Sequence, residues 1–332
     1  MTQTRTLGRS GIEVSAAGFG CWAIGGPFWA GEQPLGWGRV DDDESVRAVR
    51  HAVELGMTFF DTASVYGAGH SERLLGRALG GIRDDVVIAS KFGETFDEDT
   101  RQTRGVDASP AYMRSCLDGV LRRLGTDHLD LYQLHVNHLP LDQALDLIEP
   151  LEDLVAAGRI RAYGWSTDHA DRAEAFAAAG PHCTAVQFDQ SVLRDNAAMV
   201  ALCESADLGG INRGPLAMGL LSGKYQAGAA IGADDVRGRT PDWLTYFDDG
   251  VASPEWARRV DAIRDVLTSG GRTMSQGALA WLWARSPRMV PIPGIRTVAQ
   301  AAENAGALAF GPMAAAEFDQ IESLLRPTPE SP

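Results

Sequence analysis

Three polar residues close short apolar runs in the first half of the chain, and a tyrosine stands near the first of them. Met57-Thr58-Phe59-Phe60 ends in Asp61, Val86-Val87-Ile88-Ala89-Ser90 ends in Lys91, and Leu129-Asp130-Leu131-Tyr132-Gln133-Leu134 ends in His135; Tyr66 lies five residues past Asp61 in a loop with Gly67 and Gly69. A phenol with an ordinary pKa near ~10 gives up its proton poorly at neutral pH, and an adjacent ammonium such as Lys91 stabilises phenolate and moves it toward the working range. An ammonium held partly out of water needs a counter-charge, for which Asp61 is the nearest candidate. A neutral His135 can donate to a substrate oxygen and orient it. Together the set suits adding a proton to an oxygen while hydride reaches the attached carbon. Singly, each has a plainer reading: Asp61 as a loop cap, Tyr66 as an amphipathic rim residue, Lys91 as a solvated end, His135 as a structural ring. Independent surface residues, however, have no reason to close consecutive apolar runs.

The elements that must position these groups repeat along the chain. Apolar runs without strict alternation, as expected of strands buried on both faces, end near Gly20, Asp61, Lys91, His135, Ser166, Gln187, Asn212 and Pro293, eight in all. Between them lie segments of helical spacing at 43–55, 71–80, 109–124, 142–157, 169–179, 196–206, 255–268 and 297–308. Asp43-Glu44 and Ser109-Pro110 mark helix starts, and Gly56, Gly80, Gly125, Gly158 and Gly180 mark ends. Eight alternations predict an α/β fold of the (β/α)8 TIM-barrel kind, with chemistry at the carboxyl ends of the strands, and one domain over 1–332 whose tail, 326–332, is frayed. Residues 6–14 read as an N-terminal β-hairpin. Two long irregular stretches, 23–41 and 213–254, read as covers over that face; their Trp29, Trp37, Trp243 and Tyr246 are candidates for the substrate pocket, or for packing loop to barrel.

Composition narrows the partners. With 332 residues, 45% hydrophobic and 22% charged, the chain is long enough for a large core, and its formal charge of −14, without a basic stripe, opposes nucleic acid and anionic lipid. The four cysteines, Cys21, Cys116, Cys183 and Cys203, are scattered, with no CxxC pair and no zinc spacing, so no metal is expected. The opening MTQTRTLGRSG lacks an apolar signal region and no run reaches a membrane span, which together predict a cytoplasmic enzyme. Gly18-Phe19-Gly20-Cys21-Trp22-Ala23 fits the G-x-G-x-x-A dinucleotide pattern, but Ile24-Gly25-Gly26-Pro27 follows, where the pattern requires a helix to open.

Longer stretches carry a resemblance. GFGCWAIGG at 18–26, GMTFFDTASVYGAGHSERLLGRAL at 56–79, VVIASK at 86–91, RRLGTDHLDLYQLH at 122–135, AGRIRAYGWS at 157–166, GPLAMGLLSGKY at 214–225 and PIPGIRTVAQAAEN at 291–304 resemble the aldo-keto reductase superfamily, closest to its bacterial members of the inositol-cluster reductase type. The resemblance implies Tyr66 as general acid, tuned by Lys91 and Asp61, with His135 orienting the carbonyl. It also implies NADPH, with NADH as the variant cofactor, lying across the strand ends near Cys21, Trp22 and Asp61. Ser166 and Gln187 match the positions that hold the carboxamide; Gly214, Pro215, Leu216, Ala217 and Lys224 match the pyrophosphate segment, with Arg213 beside them as a further cofactor residue; and Gly294, Arg296, Gln300, Glu303 and Asn304 match the adenosine end. A guanidinium before a helix start suits a phosphate, as Arg296 does before 297–308. The chain departs from the pattern in having Arg213-Gly214 where many members carry an aromatic that stacks on the nicotinamide, Ser166-Thr167 in place of Ser-Asn, and Gly294 and Gln300 where relatives carry Lys and Arg.

The leading expectation is therefore an oxidoreductase acting on a small carbonyl or alcohol. Two others stand beside it: a Schiff-base aldolase or isomerase using Lys91 as nucleophile, and a non-catalytic NADPH-binding regulatory subunit. Neither the substrate nor the oligomeric state is written in the residues.

Overall fold

The structure, a computed structural model, describes residues 3–225, 231–239 and 241–326. Eight parallel strands follow one another around a single sheet: β1 (Phe19–Gly20), β2 (Phe59–Asp61), β3 (Val87–Phe92), β4 (Leu129–Leu134), β5 (Ile160–Ser166), β6 (Cys183–Asp189), β7 (Gly209–Arg213) and β8 (Met289–Pro291). A parallel bridge between Gly20 and Gly294 curls the sheet shut, and the amides of Gly18 and Gly20 donate to the carbonyls of Pro291 and Pro293 at 2.9 and 3.0 Å. The seam needs glycine, because a Cβ on Gly20 would stand 2.6 Å from the Ile292 carbonyl oxygen. The closed sheet is the expected (β/α)8 barrel.

Every residue of β3 and β4 is buried, which explains why those runs lack alternation. Side chains still alternate in direction, and the inward ones sort by depth. Phe59, Val87, Ala89, Leu131, Ala162, Ala185, Ile211, Val290 and Ile292 fill the barrel, and Leu7, Ile12 and Val14 close its amino-terminal end. Those three belong to a hairpin, Thr4–Thr6 paired with Glu13–Ser15, as expected. Its turn is seated tightly: Gly8 has φ +53°, and a Cβ there would lie 2.4 Å from the carbonyls of both Asp207 and Thr184. Continuing the same parity one step toward the open end brings Asp61, Lys91, Gln133 and Gln187 inward.

The helices are α1 (Asp42–Glu54), α2 (His70–Leu79), α3 (Pro110–Leu124), α4 (Leu141–Leu145), α5 (Ile148–Ala156), α6 (Ala170–Ala179), α7 (Ala197–Ser205), α8 (Pro254–Leu267), α9 (Met274–Arg285), α10 (Val298–Gly306) and α11 (Ala315–Leu325). The single helix expected over 142–157 is divided at Asp146-Leu147. Pro150 accounts for the break, since its ring excludes a helical carbonyl four residues back and it has no N–H to give. Neither α9 nor α11 was foreseen. In α9 ten consecutive residues, Met274 to Trp283, are buried, so no polar face marks the helical period.

The stretch 23–41 is less irregular than expected. Trp29–Ala30 and Gln33–Pro34 pair, and Trp29 joins them to an unforeseen hairpin, Glu94–Asp97 with Gln102–Val106, making a four-stranded rim sheet. Within 213–254 the chain forms a 3-10 turn at Ala217–Ser222 and a short pair, Phe247–Asp248 with Val251–Ala252. The two stretches bind each other: Val236 N donates to Gly36 O at 2.8 Å, and Trp37 bridges Asp235. Residues 226–230 and 240 of that loop, and 327–332 of the tail expected to fray, lie outside the described residues. Among the described residues no helix is long and apolar enough to cross a membrane, and no three His, Cys, Asp or Glu are grouped to hold a metal ion.

Candidate active site

At the carboxyl end of the barrel Asp61 closes β2 and Lys91 stands one residue before the end of β3. The Lys91 ammonium, fully buried, lies 2.5 Å from Asp61 Oδ1, and donates to the Thr62 carbonyl at 2.8 Å and to the Tyr66 hydroxyl at 3.3 Å. Asp61 Oδ2 accepts from Gln187 at 2.8 Å and from Gln133 at 3.0 Å. Asp61 is thus a buried carboxylate with three side-chain donors, which offsets the cost of removing it from water. Gln133 escaped notice in the sequence, although its register pairing with Lys91 follows from the alternation in LDLYQLH.

The loop after β2 is held rigidly around Tyr66. Ser71 Oγ donates to the Cys21 carbonyl at 2.8 Å and lies 2.9 Å from Thr62 Oγ1, Ser64 N donates to Lys91 O at 3.3 Å, and Gly67 packs so close to Gly25 that a Cβ would lie 1.8 Å from its carbonyl oxygen. His135, anchored by its amide to the Phe92 carbonyl at 2.7 Å, sets its ring edge-on to Tyr66 at 5.8 Å. All four groups foreseen at the strand ends therefore converge.

Their ionisation differs from the simplest expectation in one respect. The Tyr66 phenol is pushed above its usual value by burial, which Lys91 opposes and Asp61 reinforces. The ammonium therefore does not bring the resting phenol down, and the hydroxyl stays protonated. Burial acts to lower the Lys91 pKa, but Asp61 and Tyr66 outweigh it and hold the ammonium above its usual value. Such a lysine is a poor Schiff-base nucleophile, because its protons are committed. Burial first, then Lys91 and Arg213, keep His135 well below its usual range, so the ring is neutral.

Of the aromatic candidates, Trp37 and Trp243 gather about Trp22, at 5.3 and 6.3 Å, and Trp22 in turn stacks on Tyr66 at 6.0 Å. Trp22 thus packs directly against Tyr66, beyond the cofactor position matched to it. Trp29 lies in the rim sheet, and Tyr246 is buried against Trp256 at 5.0 Å with the Arg194 guanidinium over its ring, a loop-to-barrel packing role.

The residues matched to a dinucleotide lie in several settings. The Cys21 side chain is wholly buried in the core outside the sheet, so at that position only backbone could meet a cofactor. Ser166 ends β5, and Gln187 has its amide nitrogen committed to Asp61. Arg213 is paired with Asp168, whose other oxygen takes the Asp189 amide at 2.8 Å. Gly214, Pro215 and Leu216 lead from β7 into the 3-10 turn that begins at a buried Ala217, and Lys224 beyond it is exposed. Gly294 forms the barrel seam, and Arg296 precedes α10 and donates to Trp37 O at 3.1 Å. Gln300 Oε1 accepts from Arg296 N, the Glu303 carbonyl accepts from Gln276, and Asn304 is buried. Trp37 Nε1 is buried with no acceptor among the described residues. That orphaned N–H, beside a guanidinium with further donors, is a donor set that fits ribose and phosphate oxygens.

The aldo/keto reductase family model matches residues 18–326. The chain belongs to the aldo/keto reductase family. A curated relative from Schizosaccharomyces pombe, the aldo-keto reductase yakc [NADP(+)], is 29% identical over 92% of this chain and 86% of its own. The glycerol dehydrogenase of Gluconobacter oxydans superposes with a TM-score of 0.80 at 25% identity, covering 99% of this chain and 98% of that one. An aldo/keto reductase of Klebsiella pneumoniae, solved in complex with NADP and acetate, gives a TM-score of 0.70 at 25% identity over 100% and 98% of the two chains.

Proposed function

We propose that this family member, folded as one barrel domain, reduces an aldehyde or ketone to the alcohol with NADPH, and that Tyr66 delivers the proton. The buried chain of Asp61, Lys91 and Tyr66, at 2.5 and 3.3 Å, carries the reading. As the carbonyl oxygen gains negative charge, the Tyr66 O–H bond breaks, the proton passes to that oxygen, and the phenolate left behind is stabilised by the ammonium already in place. Neutral His135 donates to the same oxygen and orients it. Gln133 and Gln187 hold Asp61, which in turn keeps Lys91 charged.

NADPH supplies the hydride when bound. The choice follows the [NADP(+)] in the yeast relative's name, the NADP in the Klebsiella complex, and this chain's own Arg296 at the start of α10. Ser166 and Gln187 would hold the nicotinamide end, and Arg296, Gln300 and Asn304 the adenosine end. Arg213, ion-paired with Asp168, would bound the nicotinamide without stacking on it.

Tyr66→Phe tests this directly. Loss of the general acid is expected to lower kcat by roughly 10²- to 10⁴-fold while NADPH binding, read by fluorescence, is retained. Unchanged reduction of a test aldehyde by this variant would sink the reading.

A further inference from the structure

One carboxylate beside the site has no part in the chemistry above. Glu94 begins the rim hairpin, three residues past Lys91, and its Oε2 lies 3.5 Å from His135 Nδ1. Its backbone is fixed, since the Tyr112 hydroxyl donates to the Glu94 carbonyl at 2.8 Å. Among the described residues the carboxylate makes no ion pair shorter than that 3.5 Å contact, and its side chain keeps 40% of its exposure, so it borders open space next to His135. The two cations that act on His135, Lys91 and Arg213, are each paired with a carboxylate, Asp61 and Asp168 respectively. A substrate with its carbonyl oxygen between Tyr66 and His135 therefore meets Glu94, negative once ionised, within a Debye length (about 8 Å), while Lys91 and Arg213 are each paired with a carboxylate.

We infer that Glu94 is a specificity-determining residue, which rejects substrates bearing a carboxylate near the carbonyl carbon and admits uncharged or cationic ones. The inference rests on the carbonyl-reductase reading above. Trp22 and Trp243 supply flat apolar faces to such a substrate, so Glu94 contributes the charge selection and the rings contribute the area. The ionisable groups facing Glu94 are Lys91 on β3, Tyr66 after β2 and His135 after β4. Though its side chain stays partly open, desolvation of the Glu94 carboxyl raises it to about 7, opposed by Lys91. The rejection accordingly strengthens as pH rises through that value, where a substrate carboxylate is already ionised.

The test compares two aldehydes of nearly equal shape, para-formylbenzoate and para-formylbenzamide, in wild type, Glu94→Gln, Glu94→Asp and Asp99→Asn. The last removes one negative charge from an exposed turn of the same hairpin. Expected is a ratio of kcat/KM, benzoate over benzamide, that rises about tenfold in Glu94→Gln, falls with pH in wild type but not in that variant, and stays near wild type in the other two. Tryptophan quenching of the cofactor-free protein by benzoate and benzamide reads the same selection without turnover, and the gap between their Kd values is expected to close in Glu94→Gln. A ratio and a Kd gap that Glu94→Gln leaves within about twofold of wild type, or that Asp99→Asn shifts equally, overturn the inference. If wild type reduces neither aldehyde, the carbonyl-reductase reading is what fails, and the Kd pair still decides the role of Glu94.

Discussion

At the scale of residues, a lysine that burial would neutralise is kept charged at the candidate site. Asp61 is the group that decides this, being held by Lys91, Gln133 and Gln187 at 2.5, 3.0 and 2.8 Å. Asp61→Asn is expected to leave an uncompensated buried ammonium and to cost about 3–5 kcal/mol, read as a lower midpoint in urea unfolding. A loss under about 1 kcal/mol would mean the lysine sheds its proton freely in the folded protein. The sign of the pH effect follows from the raised Lys91 pKa. Its contribution is fully present below the unfolded lysine value and is lost as pH rises through the higher folded one, so the wild-type advantage over Asp61→Asn shrinks only in strong alkali.

Among the elements, the catalytic end and the stabilising end are opposite mouths of one barrel. The N-terminal hairpin seals the far mouth through Leu7, Ile12 and Val14, in an apolar cluster separate from the one that Tyr66 packs against. Gly8→Ala adds a Cβ that meets two carbonyls at 2.4 Å on a left-handed backbone. The expected outcome is destabilisation of about 1–3 kcal/mol by denaturant titration, with KM for aldehyde and cofactor retained. Loss of KM with stability intact would show that the plug communicates with the site. Here the sequence was legible where turn chemistry is local, as at Gly8-Arg9-Ser10-Gly11, and illegible where an element is buried all round, as in α9. Pro150 could have been read as a break in 142–157, because the clash it makes is purely local.

For the whole molecule, the two long stretches over the open mouth are coupled through Gly36–Val236 and Trp37–Asp235, with Arg237 stacked on Trp37 at 4.4 Å. Arg296, just before α10, bonds Trp37 as well, so the cover and the segment proposed to hold the cofactor share a contact. NADPH at roughly 100 times its Kd should add about 2.7 kcal/mol to stability and raise Tm by a few degrees. An Arg296→Leu variant is expected to lose most of that rise for NADPH and less of it for NADH, which lacks the 2′-phosphate; equal rises for wild type and variant would remove Arg296 from the phosphate site.

The amino-acid sequence alone determined the barrel and the grouping of Asp61, Tyr66, Lys91 and His135 at its carboxyl end. Strand ends, helix caps and the inward parity of Asp61, Lys91 and His135 are local consequences of spacing, and the chemistry of those groups follows from their types. Only the tertiary structure decided what surrounds them: Gln133 and Gln187 on Asp61, Glu94 beside His135, Trp22 against Tyr66, Arg213 turned to Asp168. These contacts join elements far apart in the chain, through the curvature of a closed sheet and a rim hairpin with no periodic signal. The net charge state of the phenol belonged to the same class, since burial, which spacing does not measure, outweighed the ammonium beside it.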